Sequence, residues 1–212
     1  GTVSGLGLWA NFMLKSAFAL IGFKAYLWVL ENLLGITINI EIAALVLLLL
    51  IVIINILGIK RIKKVQTPIV LTSVLFLFLL CFWAIFTMDL NWGAPFSKAA
   101  FGSGWESVAQ TAAFVFVAYA GVTKIAAVGG EIKDPGRNIP YGIMFSLLIS
   151  CLLYVSISIV MVATIEPSGY MMDDGQARED PIYVFANTVG GEIVGLIAAV
   201  LAVITMTSMA LA

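Results

Sequence analysis

The chain has 212 residues, of which 62% are hydrophobic and 11% charged, with a formal net charge of −1 and no histidine; its mean hydropathy is +1.10. Soluble domains run at about 45–50% apolar and about 25% charged residues, so this composition excludes that class. The lack of histidine removes histidine proton relays and most zinc or haem chemistry, and basic residues scattered among apolar runs make no nucleic-acid face.

A bilayer core of ~30 Å needs roughly 20 apolar residues in a helix. Six runs approach that length, at about 7–29, 40–58, 66–87, 107–128, 141–165 and 192–212, the last incomplete. Unpaired backbone groups are costly in lipid and no strand-like alternation is present, so the runs predict helices and an all-α polytopic membrane bundle. The first run carries Lys15, and helical spacing puts Asn11, Phe12, Lys15 and Ser16 on one polar stripe. A lysine near mid-membrane costs ~2.5–3.5 kcal/mol and is expected to face protein or a water-filled cavity. The third run offers the hydroxyls Thr72 and Ser73 and no lysine; Cys81 and Cys151 sit in apolar runs and read as packing thiols.

Charge and turn residues separate the runs at Glu31–Glu41, Lys60–Lys64, Asp89–Glu106, Glu131–Pro140 and Glu166–Gly191. Lys60, Arg61, Lys63 and Lys64 follow the second run, and Lys133 and Arg137 follow the fourth. If every run crosses once, these connections share a side, which predicts that 59–66 and 131–140 are cytoplasmic in a multi-pass protein of the cell membrane. The opposite side holds Asp89, Glu106, Glu166, Asp173, Asp174, Glu179 and Asp180 against Lys98 and Arg178. The stretch EDPIYVFANTVGGE is apolar but interrupted by Gly190 and Gly191, which suggests an amphipathic surface helix at about 179–191. With no initiating methionine, no signal peptide and an end inside an apolar run, the chain reads as a fragment.

The most informative segment is FVFVAYAGVTKIAAVGGEIKDPGRNIPYGI, residues 114–143. An apolar helix meets Ala118-Tyr119-Ala120-Gly121, resumes through Val122 to Ile132 and stops at Asp134-Pro135. On spacing alone Gly121 reads as a break or as a packing residue, and Gly129 and Gly130 as close-approach positions. The segment resembles the sixth span and following cytoplasmic loop of the amino acid–polyamine–organocation transporters. The matching residues are Tyr119, Gly121 and Val122, then Glu131, Lys133, Pro135, Ile139 and Pro140. The order of spans agrees along the whole chain, as the third to eighth spans of such a carrier. Where many relatives have glutamate two residues after the glycine, this chain has Thr123, followed by Lys124. A proton-handling role of that acid does not carry over.

The resemblance implies a five-plus-five inverted-repeat, leucine-transporter-like fold. Residues 1–90 would end the first repeat, 91–105 form an extracellular loop, and 106–212 start the second. It implies alternating-access transport of an amino acid, with the first and sixth spans unwound at mid-membrane. Carbonyls from Val117 to Ala120 would accept the substrate ammonium, while a half-helix N-terminus favours the carboxylate. Tyr119 would belong to an aromatic lid, or else face lipid or a neighbouring helix. Asn11, Phe12, Lys15 and Ser16 would line the cavity, with Gly121, Thr123 and Lys124 completing the set. Lys124 also reads as a cation paired across the bundle or snorkelling to the cytoplasm. Sodium coupling would use Thr207 and Ser208 in an oxygen cage, although such hydroxyls commonly back-bond within their own helix. Lys15 or Lys124 would serve proton coupling, and exchange without an ion stays open. No acid lies near the break, which argues against cationic substrates; Lys15 or Lys124 would favour acidic ones, and neutral substrates are the default expectation. No cofactor, catalytic residue or metal is implied; the first, second and ninth onward spans would complete the bundle. Alternatives are a cation–chloride type cotransporter, or a receptor or scaffold of the same fold that does not transport. With no histidine, nucleophile–base pair or paired mid-membrane carboxylates, an enzyme is not expected.

Overall fold

The computed structural model describes residues 2–37, 39–57, 59–97, 104–119, 130, 132–172 and 174–211. Its helices are α1 (Thr2–Leu34), α2 (Ile40–Leu57), α3 (Ile59–Thr87), α4 (Gly104–Ala118), α5 (Pro135–Thr164) and α6 (Pro181–Leu211), with 3-10 turns at Ala94–Phe96 and Pro167–Tyr170. Among the described residues there is no strand beyond one bridge, Met171 to Ala177. Four helices among the described residues are long and apolar enough to cross a membrane, at Met13–Leu34, Gln66–Thr87, Pro135–Thr164 and Pro181–Ala210; Ile40–Leu49 is a shorter apolar helix. The all-α membrane class is therefore as the sequence predicts. The expected run 107–128 falls partly on residues 120–129, outside the described residues.

Local chemistry explains the helix starts. Asn39 caps α2, its Oδ1 accepting from the N–H groups of Glu41 at 3.0 Å and Ile42 at 3.2 Å. Pro135 opens α5, a position where its missing N–H has no helical partner to lose. Ahead of it Asp134 has φ 47°, a left-handed conformation that aspartate tolerates better than most residues. The Asp134 carbonyl accepts from the N–H groups of Arg137 at 3.0 Å and Asn138 at 2.9 Å. Two expected connections are corrected. Lys60 to Lys64 lie inside α3, and Pro135 to Pro140 inside α5. Lysine and arginine are good helix formers, so a basic run marks a charge boundary without ending a helix.

α6 is one element with a break. Gly191 has φ 75° and ψ −174°, non-helical values inside Pro181–Leu211, in a region essentially reserved for glycine. The expected interruption at Gly190-Gly191 is thus observed, and the pieces on either side are helical.

The chain divides into two compact units, Gly1–Lys15 with Trp92–Ile159 and Ser16–Asn91 with Val160–Ala212. Each buried hydrophobic residue among those described belongs to the second. There Phe23 and Leu27 of α1 and Leu47 of α2 pack with Ala43, Val203 and Met206. Tyr26 and Val29 pack with Ala199, Ile182 and Tyr183 of α6. Gly22 of α1 leaves room for the end of the Met206 side chain of α6: a Cβ there would stand 3.0 Å from its Sδ and Cε. α3 also lies against α6, and α2 touches both. In the first unit, Trp105 and Phe116 of α4 and Met144 and Phe145 of α5 are exposed. That is the normal state of a surface solvated by acyl chains, which are as apolar as the side chains they meet.

Candidate functional site

α4 begins with Glu106 in its first turn, where a carboxylate complements the helix dipole. Thr111 Oγ1 donates to the Ser107 carbonyl at 2.9 Å. The helix runs for 15 residues, about 22 Å at 1.5 Å per residue, short of the ~30 Å bilayer core. It stops at Ala118 although the sequence stays apolar as far as Val128, apart from Lys124 and a threonine. The Tyr119 N–H turns back to the Phe116 carbonyl at 3.1 Å, a tightened closing turn. Val117 and Ala118 thus occupy the last helical turn, where carbonyls lose their in-helix partners. Tyr119 is half-buried and meets Tyr154 of α5 edge-on, with ring centroids 5.9 Å apart and planes at 82°. Ala120, Gly121, Thr123 and Lys124 lie outside the described residues.

Asn11, Phe12, Lys15 and Ser16 all fall within α1. Lys15 is half-buried; the side chains of Asn11, Phe12 and Ser16 lie outside the described residues.

Thr207 and Ser208 are on α6 in the second unit. Thr207 Oγ1 donates to the Val203 carbonyl at 2.8 Å, the within-helix bond weighed from the sequence. Ser208 is buried, and its carbonyl accepts from Nε2 of Gln66 on α3 at 2.8 Å. One stretch further along the pair, Ser73 Oγ and Thr205 Oγ1 are 2.8 Å apart. Thr205 Oγ1 already donates its single proton to the Leu201 carbonyl at 2.7 Å, so Ser73 is the donor to Thr205. Two cross-helix hydrogen bonds therefore join α3 to α6. Gln66 and Thr205 were missed from the sequence; the available signal was a polar pair seven apart on α3 facing a pair three apart on α6. Thr72, the neighbour of Ser73, instead lines an apolar groove of about 520 Å³ with Leu75, Phe76, Leu196 and Val200.

A family model described as "Amino acid permease" matches residues 1–212. The branched-chain amino acid permease BcaP of Bacillus subtilis is 36% identical over 110 residues, 51% of this chain and 23% of that protein. Cationic amino acid transporter 9, chloroplastic, of Arabidopsis thaliana is 28% identical over 150 residues, 70% of this chain and 25% of that one. The methylthioribose transporter of Bacillus subtilis is 28% identical over 182 residues, 85% of this chain and 37% of that one. The chain thus spans from under a quarter to somewhat over a third of the length of these relatives, which are named for three different kinds of solute.

Proposed function

The chain belongs to the amino acid permease family, a family of multi-pass membrane transporters rather than enzymes, and on that premise we propose that it moves an amino acid across a membrane by alternating access. The substrate ammonium is received by backbone carbonyls within Val117 to Ala120, at and just past the end of α4. Gly121 admits the ligand to the backbone, and Tyr119 covers it on one side. Thr123, Lys124 and the α1 stripe of Asn11, Phe12, Lys15 and Ser16 line the rest of the cavity. The carboxylate is held by a half-helix of a first span supplied from outside residues 1–212, in an inverted-repeat fold that begins its second half near residue 106.

The observation that carries this reading is the early end of α4: a helix of 15 residues inside an apolar run that has not ended. In lipid, helix carbonyls without partners are costly. A polar ligand held there satisfies them, and a half-helix end adds a favourable dipole. The absence of an acid near this segment favours a neutral substrate. The protein resides in the cell membrane with 59–66 and 131–140 on the cytoplasmic side. Thr207 and Ser208 are the sodium ligands if transport is sodium-coupled: a hydroxyl that donates its proton keeps lone pairs for a cation.

Gly121→Leu tests the site. The larger side chain would occupy the proposed site, so binding of L-leucine at this site and its uptake by the intact permease are expected to vanish while helical content stays unchanged. Unaltered affinity removes this segment from the site. Uptake into vesicles with and without a sodium gradient tests the coupling.

A further inference from the structure

Within the second unit, α1, the start of α2 and the chain leading into α6 enclose a pocket of about 150 Å³ lined by Lys24, Trp28, Ile40, Met172, Glu179 and Asp180. It contains none of the residues assigned above to substrate or ion. We propose that it is a second binding site, for a small zwitterion of the amino-acid class, with the carboxylate on Lys24 and the ammonium on Glu179.

The charge pattern points to that ligand. Asp180 is buried and held by Arg178 in a two-point fork, Nε to Oδ1 at 2.9 Å and Nη2 to Oδ2 at 2.7 Å. The same bonds push the Arg178 guanidinium further above its ordinary range, so Asp180 is already neutralised. Lys24 and Glu179, both exposed, are not paired with each other or with another described residue. Among the described residues the pocket therefore presents one cation and one available carboxylate across a floor of Trp28, Ile40 and Met172. A simple anion meets Glu179 and a simple cation meets Lys24. A zwitterion satisfies both while its apolar side chain covers the floor, the usual make-up of a small-molecule site. At about 150 Å³ the cavity has room for a small amino acid.

The loop wall is built in advance. The Met172 N–H donates to the Gln176 carbonyl at 2.7 Å and the Arg178 N–H to the Tyr170 carbonyl at 2.9 Å, closing a small hairpin. Tyr170 Oη donates to the Met161 carbonyl at 3.2 Å and ties that hairpin to α5, and burial pushes its phenol pKa up. Met172 is thereby set on one side of the cavity before any ligand arrives, which lowers the ordering cost of binding.

The test is equilibrium binding of labelled L-leucine to the intact permease in nanodiscs free of phosphatidylethanolamine. In wild-type protein two leucines per chain are expected, and one in Lys24→Met and in Glu179→Gln. In the Gly121→Leu background the remaining site is read alone, and either charge removal should weaken it about tenfold or more. Competitors that keep one charge, 4-methylpentanoate and 3-methylbutylamine, should fail to displace leucine there. Circular dichroism of each variant confirms that the fold is retained. The proposal is overturned if both charge variants bind as wild type or if single-charge analogues compete as well as leucine. It is equally overturned if phosphatidylethanolamine in the nanodisc displaces the leucine, because the occupant is then a lipid headgroup. Two-site binding that persists in Gly121→Leu overturns the broken-helix site and leaves this one standing.

Discussion

In the second unit α3 and α6 are joined by two cross-helix hydrogen bonds, Ser73 to Thr205 and Gln66 to Ser208, and the buried residues Tyr26, Val29 and Ala199 pack α1 against α6. In the first unit α4 and α5 meet through the rings of Tyr119 and Tyr154 and expose most of their large apolar side chains. The helices of both units are apolar enough to lie in lipid. The difference teaches that hydropathy places a helix in a bilayer but does not choose its neighbours. Small residues that allow close approach, and polar groups that need a partner, make that choice.

Four experiments would break or sharpen the contrast, and the largest effect is expected at the loop that leads into α6. Asp180→Ala leaves Arg178 without its carboxylate and should lower stability by about 2–3 kcal/mol, after allowance for an Arg178 side chain that is 30% exposed. Unfolding in mixed detergent measures this, and a loss under ~0.5 kcal/mol would show that the fork does not hold the loop. Gly22→Leu drives a side chain into Met206 and should cost about 1–3 kcal/mol. Adding Met206→Ala should recover part of it, and no recovery means that the α1–α6 approach is not what Gly22 serves.

A smaller effect is expected at the cross-helix hydroxyls. A double-mutant cycle of Ser73→Ala and Thr205→Val should give a coupling of about 0.6 kcal/mol, a typical value for such bonds inside membranes. Zero coupling would leave α3 and α6 held by shape alone. The smallest effect belongs to the first unit. Leu148→Ala on the exposed face of α5 should change stability by no more than about 0.5 kcal/mol. A larger loss in the intact permease would reveal a helix from another part of the protein seated on that face.

Much of the fold was legible because it follows from short-range rules. The apolar runs marked the membrane helices and Gly190-Gly191 marked the break in α6, whereas Asp134-Pro135, read as a helix stop, opens α5. Lys60 to Lys64 were misread as a connection because charge density was taken for a helix stop. Of the candidate site, α4 ends at Ala118, the first residue of the expected break, and Ala120 and Gly121 lie outside the described residues. The hydroxyl of Thr207 proved to bond its own helix, one of the two roles foreseen. The polar pairs on α3 and α6 could be seen in the sequence, but not that Gln66 and Ser208, 142 residues apart, are partners, nor that Lys24 and Glu179 line one pocket.

By itself, then, the amino-acid order determined that this chain is helical, lies in a membrane and belongs with the permeases. Backbone desolvation and side-chain transfer into lipid act residue by residue, and a motif of fixed spacing stays readable without a fold. Only the tertiary structure decided which helix faces meet and which charges are neutralised before a ligand arrives. A bilayer solvates every apolar face alike, so partners are chosen by a few polar and small residues far apart in sequence.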